Sequence, residues 1–248
     1  LSHIKYTNSY INSIVCVCEA INDVLEQDGV SPEKLVTIHS GIDLRRFEHL
    51  PPRGDARKKM GIPGDRIVVG TVAAMARHKD YPNLLEAARI VVSKREDVAF
   101  YAIGNGPEES RIRRAARRLG ISGKFIFAGF QENPQDHLAG FDVFVLASRR
   151  EGFGGAAVEA QAAGLPVVAC RTGGLPEVVC HGRNGLLVPP RNPEALAEAI
   201  LLLVTDPRLR ARLGANGARD AERFSVEVNV ERTLQLYETI RPQRNEAA

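Results

Sequence analysis

The feature that most constrains this chain is an alternation that begins at Arg66. Short apolar runs at 67–73, 98–103, 124–128, 143–147, 166–169 and 185–188 read as strands. Between them, helical spacing recurs at 81–93, 108–119 and 174–181, with a short helix started by Asn133-Pro134. Two more helices start at cap-plus-proline pairs, Asn192-Pro193 and Asp206-Pro207, and Ser225 caps a last one running toward Arg241. Strand runs that are apolar throughout, not every second residue, are buried on both faces. Alternation of this kind predicts an α/β fold: a doubly wound parallel sheet with helices on both sides. Upstream, a strand at 13–18, a helix at 19–29 and a strand at 35–38 form a smaller unit. The stretch 48–65 is rich in Pro, Gly and charge and reads as a linker.

In such sheets ligands bind beyond the carboxyl ends of the strands. The loop after 143–147 is the most informative: residues 151–166 read EGFGGAAVEAQAAGLP. Three glycines in the first five residues precede a small-residue helix. Backbone N–H groups at a helix start, with no Cβ in the way, make an anion cradle. Glu151 stands on the loop and Glu159 in the early turns of the helix, leaning back toward its start. A carboxylate at each side of a phosphate cradle suits a ligand with hydroxyls on both sides of its phosphates. The plain alternative is a surface Glu151 and a Glu159 that stabilises a positive helix end.

Other strand-end loops carry Arg77, His78, Lys79 and Asp80; Gly104, Asn105 and Gly106; Gly129 and Phe130; and Thr172, Gly173 and Gly174. Together they outline a glycine-lined crevice with a basic residue across it. The run at Gly104 is not a dinucleotide fingerprint, because Glu109 stands where the third glycine belongs.

Composition excludes several classes. A net charge of +3, from 33 basic against 30 acidic residues, is too balanced for nucleic acid as main partner. No apolar run approaches the ~20 residues of a membrane span. The polar first residues do not read as a signal peptide, and a cytoplasmic location is expected. Four cysteines, with no C-x-x-C and no histidine cluster, read as reduced structural thiols. No D-x-D pair is present to hold a divalent cation on a diphosphate, so neither metal nor cofactor is expected.

With these residues in view, the chain resembles the donor-binding half of a retaining glycosyltransferase of the GT-B fold, in family 4 of the group 1 transferases. The resemblance rests on Glu151 and Glu159, with seven residues between them, and on IHSGID (38–43), HKDYPNLLEAA (78–88), IGNGPEESRI (103–112), FAGF (127–130), TGGLPEVV (172–179) and NGLLVPP (184–190), in order. It implies that 1–47 is the end of an acceptor-binding domain. It further implies that 66–225 is the Rossmann-like domain binding a nucleoside-diphosphate-sugar, and that a helix in 226–248 crosses back to the first domain. Glu159 then holds the ribose hydroxyls and Glu151 those of the transferred sugar. Backbone at Phe153, Gly154, Gly155 and Ala156 meets sugar and diphosphate, with Gly104 and Gly174 lining the crevice. Lys79 neutralises the diphosphate, and Phe130 and Gln131 line the base pocket. Where the family has an arginine five residues before that lysine, Ala74 stands here. Either Lys79 and the helix dipole act alone, or Arg77 substitutes from another angle.

The chemistry implied is metal-independent displacement at an anomeric carbon, with Glu151 and Lys79 nearest the reacting groups and an acceptor glycan or lipid-linked glycan receiving the sugar. The arginines at 111, 113, 114, 117 and 118 read as a solvated face, or as a contact with the inner membrane surface. Two other classes remain: a non-hydrolysing nucleotide-sugar epimerase and a non-catalytic nucleotide-sugar-binding module.

Overall fold

The computed structural model describes residues 6–8 and 10–240. Six parallel strands form the main sheet: β3 (Ile67–Val72), β4 (Val98–Ile103), β5 (Phe125–Gly129), β6 (Val143–Leu146), β7 (Val167–Cys170) and β8 (Gly185–Val188). Their order in space is β5-β4-β3-β6-β7-β8. The chain starts in the middle, winds outward through β4 and β5, returns beside β3 as β6, and winds out the other way. The direction of winding therefore reverses between β3 and β6. At such a switch point the loops leaving the two strands part and open a crevice. Here those loops carry Lys79 and Glu151.

Burial follows from the two-sided sheet. Every residue of β4, β6, β7 and β8 is buried. On one face Val69, Phe100, Val145 and Val168 pack against helices α3 (Tyr81–Lys94), α4 (Glu109–Arg118) and α8 (Pro193–Thr205). On the other, Val68, Tyr101, Phe144 and Val167 pack against α2 (Arg53–Met60), α5 (Gln135–Leu138), α6 (Gly155–Ala162) and α7 (Leu175–Val178). Neighbouring residues of one strand serve opposite cores, as the period-two pleat requires. Gly70 in β3 leaves room for the Phe141 ring, which a Cβ there would overlap at 1.9 Å.

The expected caps form. The Asn192 side chain accepts from Ala195 N, and Asp206 accepts from Arg208 N and Leu209 N at the start of α9 (Pro207–Ala221). The last helix, α10 (Val226–Ile240), starts after Ser225, whose hydroxyl accepts from Val228 N. Its expected end at Arg241 and the tail to 248 lie outside the described residues, as do residues 1–5.

Two expectations are corrected. The stretch 48–65 does not behave as a linker. It contains α2, ended by Gly61 in a left-handed conformation, and buries Ala56, Arg57, Met60 and Ile62. Its charge has an interior partner: Arg57 donates to Asp142 at 2.5 Å and to the carbonyls of Gly140 and Gly64. Composition cannot distinguish a solvated arginine from one that crosses to a buried aspartate 85 residues away. The helix expected at 174–181 lasts only four residues. Asn184 replaces its next turn, accepting from Cys180 N and donating to Val178 O.

The N-terminal unit pairs β1 (Ile14–Cys16) in parallel with β2 (Leu35–Thr37), with α1 (Glu19–Gln27) between them. It joins the larger unit through residues 39–42. Ile42 N donates to Phe224 O, Val226 N donates to Ile42 O, and the Asn229 amide donates to His39 O. A Cβ on Gly41 would meet Val226 Cα at 2.8 Å, so glycine permits this close crossing. Val15, Val24, Val230, Leu234 and Tyr237 are exposed. All four cysteines are free thiols.

Candidate functional site

The site is assembled at the carboxyl ends of β3 and β6. After β3 the chain makes a short 3-10 turn, Arg77–Lys79, and then takes Asp80 through a left-handed conformation (φ 48°) before α3 begins. That reversal turns Lys79 toward the β6 loop. Its Nζ lies 2.6 Å from Glu151 Oε2, and the two side chains retain 16% and 12% of their exposure. The Ser148 hydroxyl donates to the same carboxylate oxygen at 2.9 Å. Backbone bonds clamp the loops together: Arg149 N donates to His78 O, and the Thr172 hydroxyl donates to Arg149 O.

Next to this pair α6 opens. Gly154 is left-handed (φ 91°) and precedes the first helical residue, Gly155. No side chain caps this end. The first N–H groups of a helix have no partner inside it, so amides at Gly155 and Ala156 remain available to a ligand, with the positive dipole end behind them. Phe153 is buried and its ring packs on His39 and Phe224, which leaves only its backbone at the cradle.

Glu159 stands one turn further along α6. It is half-buried, and burial pushes its carboxyl above the ordinary carboxylate value, with Arg46 pulling against that shift. Among the described residues its carboxylate forms no ion pair. A carboxylate with this much desolvation and no partner is suited to accept hydrogen bonds from ligand hydroxyls.

The glycines of the neighbouring loops divide by role. A Cβ on Gly173 (φ 51°) would lie 1.6 Å from Glu151 O, and one on Gly104 (φ 131°) 2.2 Å from Ala73 O. Gly104 N already donates to Gly129 O, and Gly174 N to Gly152 O. Gly104 and Gly174 therefore bring the loops together, and their amides are not free for a ligand. Arg77 does not join the Lys79–Glu151 pair. Its side chain is 78% exposed and leans on Glu108 at 3.5 Å. Phe130 is 70% exposed at the end of β5, and the Gln131 side chain donates to Ala128 O.

The family model for glycosyl transferases group 1 matches residues 52–220. The chain belongs to this family. Among curated relatives it is similar to a D-inositol 3-phosphate glycosyltransferase of Streptomyces bingchenggensis, 33% identical over 231 residues, covering 88% of this chain and 50% of the relative. It is also similar to the lipopolysaccharide core biosynthesis glycosyltransferase LpsE of Rhizobium meliloti, 35% identical over 181 residues, covering 73% and 52%. Among solved structures it resembles Anabaena Alr3699/HepE in complex with UDP and glucose, with a TM-score of 0.86 and 25% identity, covering 92% of this chain and 63% of that one. The chain thus spans about half the length of the curated relatives it matches. The group 1 fold, a Rossmann-like parallel sheet of the GT-B type, agrees with the sequence-based expectation. Among the described residues no helix is long and apolar enough to cross a membrane.

For a group 1 chain, the structure adds contacts that sequence reasoning did not single out. Ser148 touches Glu151, and Arg46 acts on Glu159 from the 3-10 turn Leu44–Phe47, just after the junction. At the junction, His39 Nε2 lies 2.8 Å from Glu177 Oε2, and the Glu177 carboxylate also accepts from Glu19 N. Only for Ser148 was a local signal present, three residues before Glu151. The other contacts join segments far apart in sequence.

Proposed function

We propose that this chain binds a nucleoside-diphosphate-sugar and contributes the donor half of a retaining, metal-independent glycosyl transfer. One observation carries the reading. The uncapped N-terminus of α6 lies between the Lys79–Glu151 pair and the half-buried, unpaired Glu159. An anionic diphosphate suits the helix start and Lys79. Ribose hydroxyls suit Glu159, and the hydroxyls of the transferred sugar suit Glu151. The complexes of the Anabaena relative with UDP and glucose support this class of ligand.

In the transfer, the bond between the anomeric carbon and the diphosphate oxygen breaks, and the leaving nucleotide gains negative charge. The helix amides and the lysine are fixed in place before that charge develops, which is where preorganised donors act most strongly. Each is worth about 3 kcal/mol by comparison with oxyanion holes. In the free chain Glu151 holds Lys79 by charge. With donor present, the lysine has the diphosphate as a second anion and shifts part of its bonding to it. Glu151 and Glu159 act as hydrogen-bond acceptors here, not as the acid–base pair of a hydrolase. The anomeric carbon bonds to an acceptor hydroxyl oxygen on a glycan or lipid-linked glycan, and the hydroxyl proton passes to the leaving diphosphate oxygen.

Isothermal titration of the chain with UDP-, GDP- and ADP-sugars tests the reading. One of the three should bind, and Glu159→Gln should weaken that binding at least about tenfold, the worth of hydrogen bonds to a charged group. No binding by any of them, or binding indifferent to that substitution, would overturn the assignment.

A further inference from the structure

On the other side of the 76–80 loop lies a concavity of about 520 Å³ between α3 and α4. It is separate from the α6 cradle: neither Lys79, Glu151 nor Glu159 lines it. Its floor includes the buried Leu85 and Ile112. Its rim carries four guanidinium groups, from Arg77, Arg111, Arg118 and Arg149. Two carboxyl groups, Asp80 and Glu108, also line it. Glu108 alone faces Arg77 at 3.5 Å and Arg111 at 3.1 Å. Among the described residues, Arg118 and Arg149 have no carboxylate within salt-bridge distance. The neighbouring turns of α4 add Arg114 and Arg117, also unpaired among the described residues. Arg113 belongs elsewhere, paired with Glu109 and lying over the Phe127 ring.

Arg77 and Arg111 are solvated, with 78% and 67% of their side chains exposed, but these arginines do not all lie on one helix face. On an ordinary basic helix face the side chains point apart into water. Here four of them, brought from three separate segments, surround one depression with an apolar floor. Guanidinium forks match phosphate oxygens in pairs, and the volume is that of a small-ligand pocket. The geometry points to a second anion site that takes a small phosphate-bearing ligand, its phosphate among Arg77, Arg111, Arg118 and Arg149 and its less polar body over Leu85 and Ile112. Within the pocket Glu108 takes the place an anion would have, holding two of the arginines. A flat bilayer fits the pocket less well. None of the exposed large apolar residues among the described ones lies on α3 or α4, so this face has nothing to insert between lipids. The site stands independently of the donor reading.

Inorganic pyrophosphate titrated calorimetrically is the probe, in a Lys79→Ala background that removes the principal cation of the α6 cradle. One site is expected to remain. Adding Arg111→Gln and Arg118→Gln should weaken it by about tenfold or more, the cost of losing charge-assisted bonds to phosphate. Glu108→Gln should strengthen it, because two arginines are released from their internal partner; a merely structural Glu108 predicts no such gain. The arginines at 111 and 118 are exposed, so melting curves should show the fold unchanged. Affinity indifferent to the paired arginine substitutions would overturn the inference. So would silence toward pyrophosphate; arginine-dependent sedimentation on phosphatidylglycerol vesicles in that case would make the surface a membrane contact.

Discussion

Replacing Lys79 by methionine probes the contact at the centre of the site. Lys79 Nζ and Glu151 Oε2 are 2.6 Å apart, with both side chains mostly enclosed. At that distance the Coulomb attraction is about 6 kcal/mol at an effective dielectric of ~20, and about 1.6 kcal/mol in bulk water. Desolvation of two ions and the loss of lysine rotamer freedom cancel most of it. A net coupling of about 2 kcal/mol is expected, within the range for contacting residues. In the ligand-free chain, Lys79→Met leaves Glu151 with the Ser148 hydroxyl as its only side-chain partner among the described residues. Glu151→Gln leaves the mostly enclosed lysine without a counter-charge. Each single variant should lose about 2 kcal/mol, and the double variant less than the sum, by the coupling energy. Urea unfolding of the four proteins measures it. The same variants titrated with UDP extend the test, since Lys79→Met should weaken UDP by about tenfold or more. A coupling below about 0.5 kcal/mol would mean that water screens the pair as it does at an open surface. UDP affinity unchanged by Lys79→Met would refute the diphosphate role.

Three further outcomes follow from the geometry. The Glu159 carboxyl is raised by burial, so the fold favours its protonated form; its contribution is most favourable below the ordinary carboxylate value and is lost as pH rises through the raised one. Glu159→Gln should therefore raise the melting temperature of the ligand-free chain at neutral pH but not below that window, and melts across pH that coincide with the parent's would contradict the burial cause. Gly173→Ala puts a Cβ 1.6 Å from Glu151 O at a positive φ, so unfolding measurements should show a loss of about 2–4 kcal/mol, together with loss of donor binding as the Glu151 loop shifts. Arg57→Leu removes a buried partner of Asp142 and should cost about 3 kcal/mol or more in urea unfolding. Arg53→Leu, at the same aspartate but 53% exposed, should cost less; equal losses would show that burial does not govern this pair.

Much of the fold was legible because its signals are local. A strand covered on both faces has to be apolar throughout, and 98–103 and 185–188 stand at their expected bounds. Asn192 and Asp206 bond to N–H groups two or three residues ahead, so nothing distant needs to be known. The short α7 and the packed α2 were hidden for the opposite reason. Asn184 ends α7 from the far side of a turn, and Arg57 finds its aspartate across the core. Arg77, which sequence reasoning offered to the diphosphate, proved to face the other side of its loop.

By itself the sequence determined the parallel α/β sheet, the glycine-opened helix at 154–162 and the seven-residue gap between Glu151 and Glu159. Each depends on residue order along one strand, loop or helix. Only the tertiary structure decided what meets Glu151. The reversal of winding between β3 and β6 brings together loops 72 residues apart, and the left-handed turn at Asp80 directs Lys79 to one side and leaves Arg77 on the other. Spacing in a sequence reports the faces of single elements. Which faces oppose one another is set by strand order and by the packing of two cores, and that is where the cradle acquired its cation.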